Sequence, residues 1–312
     1  MNELEKIICT VCGSSHSKFL FEKQSKNFCS DSIFAYRCND CNCIFLGKLS
    51  SEYKPELYEY YRIYQGQTKD VLFNSLTTLS YHRVLDLISL YSTGKDILDV
   101  GCGKGDFVYA GRQAGWNVNG IELSQTAVEI AQSFDLPVKK IDFFSSSIYP
   151  DSYDIVTMFE VLEHLSDPVK FINRAAEIVK PGGLIYLTTP NYESFDRWIL
   201  GISWPVIHRE HLTYFSPKTL NSVIINNTNL NILHLETRNL SIQFLHRIVE
   251  IFQFNKNKQK DYLVPYSNDV NEKIRKSLEV SLPLKLIKRL VNKALNITSS
   301  GSTIVLLLKR PL

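Results

Sequence analysis

The stretch Ile97-Leu98-Asp99-Val100-Gly101-Cys102-Gly103-Lys104-Gly105, followed by Gly120-Ile121-Glu122-Leu123-Ser124, constrains the fold of this chain more than any other part of it. An apolar strand runs into a glycine-rich turn, a helix follows, and a second apolar strand ends on a carboxylate. That order describes a nucleotide-binding βαβ unit. Gly101, Gly103 and Gly105 stand where the chain leaves a strand and opens a helix, a turn that needs positive φ or a close backbone approach. Asp99 and Glu122 each end a strand and would face the crevice outside the carboxyl ends of the sheet, with Glu122 placed to accept hydrogen bonds from a ribose diol.

The spacing D-x-G-x-G-x-G is tighter than the dinucleotide form G-x-G-x-x-G. A pyrophosphate wants a helix N-terminus free of competing negative charge, whereas Asp99 puts a carboxylate just before the loop. A cationic ligand without phosphate suits it better.

These residues resemble the first motif of the class I S-adenosylmethionine-dependent methyltransferases, and further segments are similar to that family in the expected order. Lys140-Ile141-Asp142-Phe143 looks like the segment beside the adenine. Ser152 to Leu165 looks like the fourth strand and its loop, and Lys180-Pro181-Gly182-Gly183 with Leu184 to Asn191 looks like the turn and fifth strand. The resemblance spans roughly residues 80–240. It implies a doubly wound, seven-stranded Rossmann-like α/β sheet and S-adenosyl-L-methionine as methyl donor. It also implies a donor site formed by Asp99, Gly101, Gly103, Gly105, Glu122 and Leu123. Asp142 would accept from the exocyclic amine, Phe143 would be an apolar wall, Phe159 and Glu160 would border the sulfonium, and His164 would stand at the mouth.

Five cysteines fall in two tight groups, Cys9-Thr10-Val11-Cys12 and Cys38-Asn39-Asp40-Cys41-Asn42-Cys43. Two C-x-x-C knuckles place four thiolates around zinc, with Cys9, Cys12, Cys38 and Cys41 as ligands and Cys43 able to replace Cys41. Disulfides, the competing account, would not require two-residue gaps. A closed four-thiolate site has no open coordination position, so this Zn2+ would be structural. Short strands around Tyr36-Arg37 and Ile44-Phe45-Leu46 read as a ribbon.

At 312 residues and 44% hydrophobic, the chain can bury one large core and carry a small extra domain. No run is long and apolar enough to cross a bilayer, and the polar, acidic start Met1 to Lys6 lacks the pattern of a signal peptide, so a cytoplasmic location is expected. Residues 255–312 hold 12 Lys and Arg against 4 Asp and Glu, which leaves the rest of this +3 chain net negative. The catalytic part therefore has no electrostatic footprint for nucleic acid.

The organisation expected is a zinc ribbon over 1–48, a tyrosine-rich linker with capping helices over 49–92 (Tyr53, Tyr58, Tyr60, Tyr61 and Tyr64 among its residues), and the methyltransferase domain over 93–312. Asn231 to Arg238 would be the sixth strand and Ser302 to Arg310 an antiparallel seventh, so 241–298 is a helical insertion between the last two strands. Within it, 282–295 is a basic amphipathic helix, packed on the domain or touching a membrane surface or lipid-linked substrate.

Methyl transfer to a hydroxyl needs alignment and a base. After the fifth strand, Trp204-Pro205-Val206-Ile207-His208-Arg209-Glu210-His211 and the following Leu-Thr-Tyr-Phe-Ser-Pro supply candidates: His211 or His208 as base, Glu210 to orient it, and Trp204 and Tyr214 to stack on a sugar face. This run resembles one in methyltransferases of polysaccharide and deoxysugar pathways. It points to O-methylation of a sugar in a cell-surface glycan or its nucleotide- or lipid-linked precursor. A sugar C-methyltransferase, a small-aromatic (quinone-pathway) O-methyltransferase and an rRNA methyltransferase are the alternatives.

Overall fold

The computed structural model describes residues 7–24, 32–47, 73, 75–240 and 282–312. The tyrosines at 53–64, Cys29 and most of the 241–298 insertion lie outside them. The first three strands, β1 (Ser17–Gln24), β2 (Ser32–Cys38) and β3 (Ile44–Leu46), form an antiparallel sheet around the cysteine knuckles. Helix α1 (Ser75–Ser89) leads into β4 (Asp96–Val100), α2 (Asp106–Gln113), β5 (Asn117–Glu122), α3 (Gln125–Gln132) and β6 (Val138–Lys140). Strand β7 (Tyr153–Phe159), helix α4 (Pro168–Ile178) and β8 (Val179–Pro190) follow. Then come α5 (Phe195–Leu200), the two-residue β9 (Thr213–Tyr214), α6 (Pro217–Asn227) and β10 (Asn231–Arg238). Helix α7 (Leu282–Ile297) and β11 (Thr303–Lys309) end the described chain.

The large sheet has seven strands in the order β10-β11-β8-β7-β4-β5-β6. Its pairs from β8 to β6 are parallel, and β11 runs antiparallel to both neighbours. Apolar runs such as Ile155-Val156 and Ile304 to Leu308 are buried on both faces because helices cover both sides. The strand order reverses between β4 and β7, which opens a crevice at their carboxyl ends, where ligands of such sheets bind. The expected turn Lys180 to Gly183 remains within β8: pairing jumps from Tyr153–Val179 to Ile155–Leu184, and Gly182 takes φ +76° in the extra length.

The small sheet contains a strand that its sequence position does not suggest. β9 pairs with β3, Ile44 opposite Tyr214 and Phe45 opposite Thr213, to give the order β1-β2-β3-β9. Cys9, Val11, Cys38 and Phe45 share one buried cluster with Leu98, Val156, Ile304 and Leu308 of the large sheet. The cysteine module is thus packed into the main core. No helix among the described residues is long and apolar enough to cross a membrane.

Candidate functional site

The glycine turn has the backbone its composition demands. Gly101, Gly103 and Gly105 have φ of +67°, +54° and +86°, all left-handed. A Cβ on Gly101 would lie 2.8 Å from Val161 Cγ2, and one on Gly105 would lie 2.8 Å from Leu136 Cδ1. The turn is fastened to the end of β5: Gly103 N donates to Glu122 Oε2 at 2.9 Å, while Leu123 N and Ser124 N donate to Oε1 at 2.7 and 2.9 Å. Three backbone donors therefore fix this carboxylate and leave part of its acceptor capacity for a ligand hydroxyl.

Asp99 is buried and accepts a 2.7 Å hydrogen bond from Thr157 Oγ1 on β7. Burial, reinforced by the charges of Glu122 and Asp106 and only partly offset by Thr157, pushes its carboxyl up to about 8. Asp142 follows β6, its Oδ1 accepting from Phe144 N at 2.7 Å. Phe143 is turned into the core against Phe171, and Phe144 is the exposed ring of the pair.

At the end of β7, Phe159 meets Phe107, Tyr81 and Tyr186 with centroids 4.8, 5.2 and 5.4 Å away. Tyr81 comes from α1, and its hydroxyl is pushed well up by burial and then by Asp106, Asp99 and Glu160. Tyr81 thus brings α1 to the end of β7, beside the crevice. Glu160 has φ +53°, and its N–H donates to the Thr188 carbonyl at 3.1 Å.

One turn further, at Leu162–His164, the chain meets the segment after β8. His211 and His164 have ring centroids 4.6 Å apart, and His208 and His211 are 3.8 Å apart. His164 Nδ1 lies 2.9 Å from the Glu210 carbonyl. A carbonyl only accepts, so Nδ1 carries the proton and Nε2 is the basic nitrogen. Glu163 is 2% exposed; Thr189 Oγ1 donates to its Oε2 at 2.9 Å, and its Oε1 is buried without a partner. His211, 8% exposed, likewise has an unpartnered buried Nδ1.

Burial holds all three imidazoles below their ordinary value. It takes His208 down to about 4, with His164 and Lys23 adding repulsion, and it takes His211 well down together with His208 and His164. Burial and the nearby Glu160 push the Glu163 carboxyl well above the usual carboxylate range. The three imidazoles are therefore neutral near pH 7. They offer basic nitrogens in a dry site, and one ligand atom each from Glu163, His164 and His211 lie within 4.8 Å of one another, close enough to share a cation.

One expectation changes. Trp204 and Tyr214 cannot stack on a sugar: they are 1% and 3% exposed, with Trp204 Nε1 donating to Asp196 Oδ2 at 3.3 Å and the Tyr214 hydroxyl donating to the His208 carbonyl at 3.3 Å. Both rings fill the space under the small sheet with Ile33, Ala35, Ile44 and Leu46. Glu210 reaches His164 through its backbone carbonyl and, by charge, through its carboxylate, and a second acid, Glu163, is buried beside the histidines. The Glu-x-x-Glu-His spacing from Glu160 to His164, two acids and a histidine on one turn, was the available signal for it.

The four knuckle cysteines converge. Cys9 Sγ lies 3.6 Å from Cys41 Sγ, Cys12 Sγ lies 3.5 Å from Cys38 Sγ, and all four sulfurs fall within 4.8 Å of one another. Cys43 stands outside that set, buried, its carbonyl accepting from Cys38 N at 2.9 Å.

Residues 76–235 match the sequence model of a family described as a methyltransferase domain. The chain is 39% identical over 105 residues to the ubiquinone biosynthesis O-methyltransferase of Nitrosospira multiformis, which covers 31% of this chain and 44% of that protein. It is 35% identical over 132 residues to the protein of the same name from Idiomarina loihiensis, covering 40% and 52%. The chain thus spans about half the length of the curated relatives it matches. Among solved structures, a chain of the complex containing the Haloferax volcanii Trm112 methyltransferase activator superposes with a TM-score of 0.50 at 16% identity. That match covers 84% of this chain and all of the other, a likeness of fold.

Proposed function

Because the chain belongs to this methyltransferase-domain family, we propose that it transfers a methyl group from S-adenosyl-L-methionine to a hydroxyl oxygen of a small molecule. The left-handed glycine turn, the Glu122 carboxylate fixed by three N–H groups and the protonated Asp99 fit the donor, which supplies an electrophilic methyl on a sulfonium. Glu122 would hold the ribose diol, Asp99 and the turn residues Gly101, Gly103, Gly105 and Leu123 the amino-acid portion, and Asp142 the adenine amine. Phe159, Tyr81 and Glu160 would line the methyl's approach.

The observation that carries the acceptor side is the trio of neutral imidazoles beside Glu163. An acceptor hydroxyl must lose its proton as its oxygen attacks, and His211 Nδ1 is an unpartnered nitrogen available to receive it. His164, fixed by the Glu210 carbonyl, orients His211, and Glu163 stands beside the pair with one oxygen unpartnered. A second arrangement rests on the closeness of three ligand groups: a divalent cation on Glu163, His164 and His211 would bind the acceptor oxygens and lower their proton affinity.

A hydroxyl of a quinone-pathway aromatic, the small-aromatic alternative, fits this site better than a sugar, which loses its stacking platform with Trp204 and Tyr214 buried; the relatives named for O-methylation in ubiquinone biosynthesis support this choice. Phenols are also the more acidic acceptors and ask less of an imidazole base. Cys9, Cys12, Cys38 and Cys41 are proposed to hold a structural Zn2+, for which the convergence of four sulfurs is the support.

Calorimetric titration with S-adenosylmethionine and with NAD tests the donor assignment. Micromolar affinity for the first and silence towards the second is the expected result, and silence towards the first overturns it. Turnover assays with catechol-type phenols against sugar nucleotides then test the acceptor class.

A further inference from the structure

The loop that carries His208 and His211 is gripped at both ends by the cysteine module. Before the histidines, Lys23 on β1 donates from Nζ to the Trp204 carbonyl at 3.2 Å and to the Ile207 carbonyl at 2.6 Å. After them, Leu46 N donates to the Leu212 carbonyl at 2.9 Å, and β3 pairs with β9 at Thr213 and Tyr214. The knuckle itself joins this grip: Thr10, between Cys9 and Cys12, has its hydroxyl 2.7 Å from that of Thr213. Beneath, Trp204, Ile207 and Tyr214 are packed with Ile33, Ala35, Ile44 and Leu46. Between the two grips, the backbone bond from His211 N to the His208 carbonyl at 3.2 Å closes a short turn.

We propose that the metal-loaded cysteine module is a positioning element of the acceptor site, holding His208 and His211 in place through Lys23, Thr10 and strand β3. This rests on the proposed roles of those histidines. The physical ground is that a two-residue strand and a short turn have too few contacts to hold a geometry alone. A base misplaced by about 1 Å loses much of its effect. A module of three short strands in turn depends on its metal for rigidity. The hydrogen bonds of Lys23, Thr10 and β3 named above all end on 204–214 and none on β4, β5 or α2, while Cys9, Val11, Cys38 and Phe45 pack in one buried cluster with Leu98 of β4. Loosening these hydrogen bonds should therefore act first on the acceptor half.

The test is hydrogen exchange on the full-length protein in three forms: as purified, stripped with a zinc chelator, and as Lys23→Met with metal retained. Exchange of the amides in 204–214 is expected to rise at least tenfold in both altered forms, while 97–123 keeps its protection and S-adenosylmethionine its affinity. In Lys23→Met, kcat should fall with little change in donor affinity, and Lys23→Arg should restore both protection and kcat. Unchanged protection over 204–214 in Lys23→Met overturns the proposal. So does equal loss of protection over 97–123, which would make the module a prop for the whole fold. The exchange measurement needs no turnover, so a failure of the methyl-transfer reading would appear separately, as absent donor binding in the purified protein.

Discussion

His211 sets the edge of its imidazole against the ring of His164, the centroids 4.6 Å apart and the planes 78° from parallel. The two rings come from different segments, one from the turn after β7 and one from the loop after β8, and each has its own backbone contact. A pair assembled this way keeps its geometry only while both segments hold still. For a base, that geometry is most of its value.

Replacing His211 with Ala should lower kcat by about 100-fold or more, the usual worth of a positioned base, with donor affinity within twofold of the parent. Steady-state kinetics beside calorimetry separate the two. Full turnover in His211→Ala would move the base elsewhere.

The pH dependence has a definite sign. A base works unprotonated, and lowering its pKa extends the unprotonated range towards acid. With His208 taken to about 4 and His211 well below its ordinary value, the acid limb of the kcat profile should lie below the ordinary imidazole range. A limb at 6.5 or higher would point to an imidazole in water.

Donor binding should release a proton. The Asp99 carboxyl, pushed up to about 8, carries its proton at pH 7, and a cationic ligand beside it favours the ionised form. Calorimetry in buffers of different ionisation enthalpy should show release of most of one proton at pH 7, fading above pH 9. The Asp99→Asn variant should show none.

Gly101→Ala places a Cβ 2.8 Å from Val161 Cγ2 at φ +67°. Left-handed strain of this kind costs about 1–3 kcal/mol, so the urea midpoint should fall, and displacement of Val161 should weaken donor affinity as well. A variant as stable as the parent would mean that the turn can relax.

The purified chain should carry about one zinc, by the closed four-thiolate rule, with Cys38→Ser losing most of it. Elemental analysis decides this. An equal zinc content in Cys38→Ser would exclude that sulfur as a ligand.

The seven-stranded sheet was legible in the sequence because its central strands are apolar on both faces, so runs such as Ile304 to Leu308 admit few other readings. The glycine turn and Glu122 were legible because φ > 0 and a strand-ending acid leave marks on residue type. The cysteine spacing marks a set of four for the same reason. Other features leave no such mark. Thr213–Tyr214 is too short for any periodicity, and its partner β3 is remote in sequence, so the fourth strand of the small sheet could not be read. Trp204 and Tyr214 are amphipathic rings that serve equally in a core or on a binding face, and here packing took them. Glu163 is an acid in a polar-looking turn, and only the fold shows it buried against Thr189.

The strand that completes the small sheet follows β3 by 167 positions, from Leu46 to Thr213. During synthesis the three N-terminal strands emerge long before it, so β3 must wait with one edge unpaired until β8 and the histidine loop have been made. An open strand edge is a template for wrong partners. Metal captured early by the knuckles could keep those strands together during the wait, but it could not close the edge. A segment made early is thus among the last to finish folding.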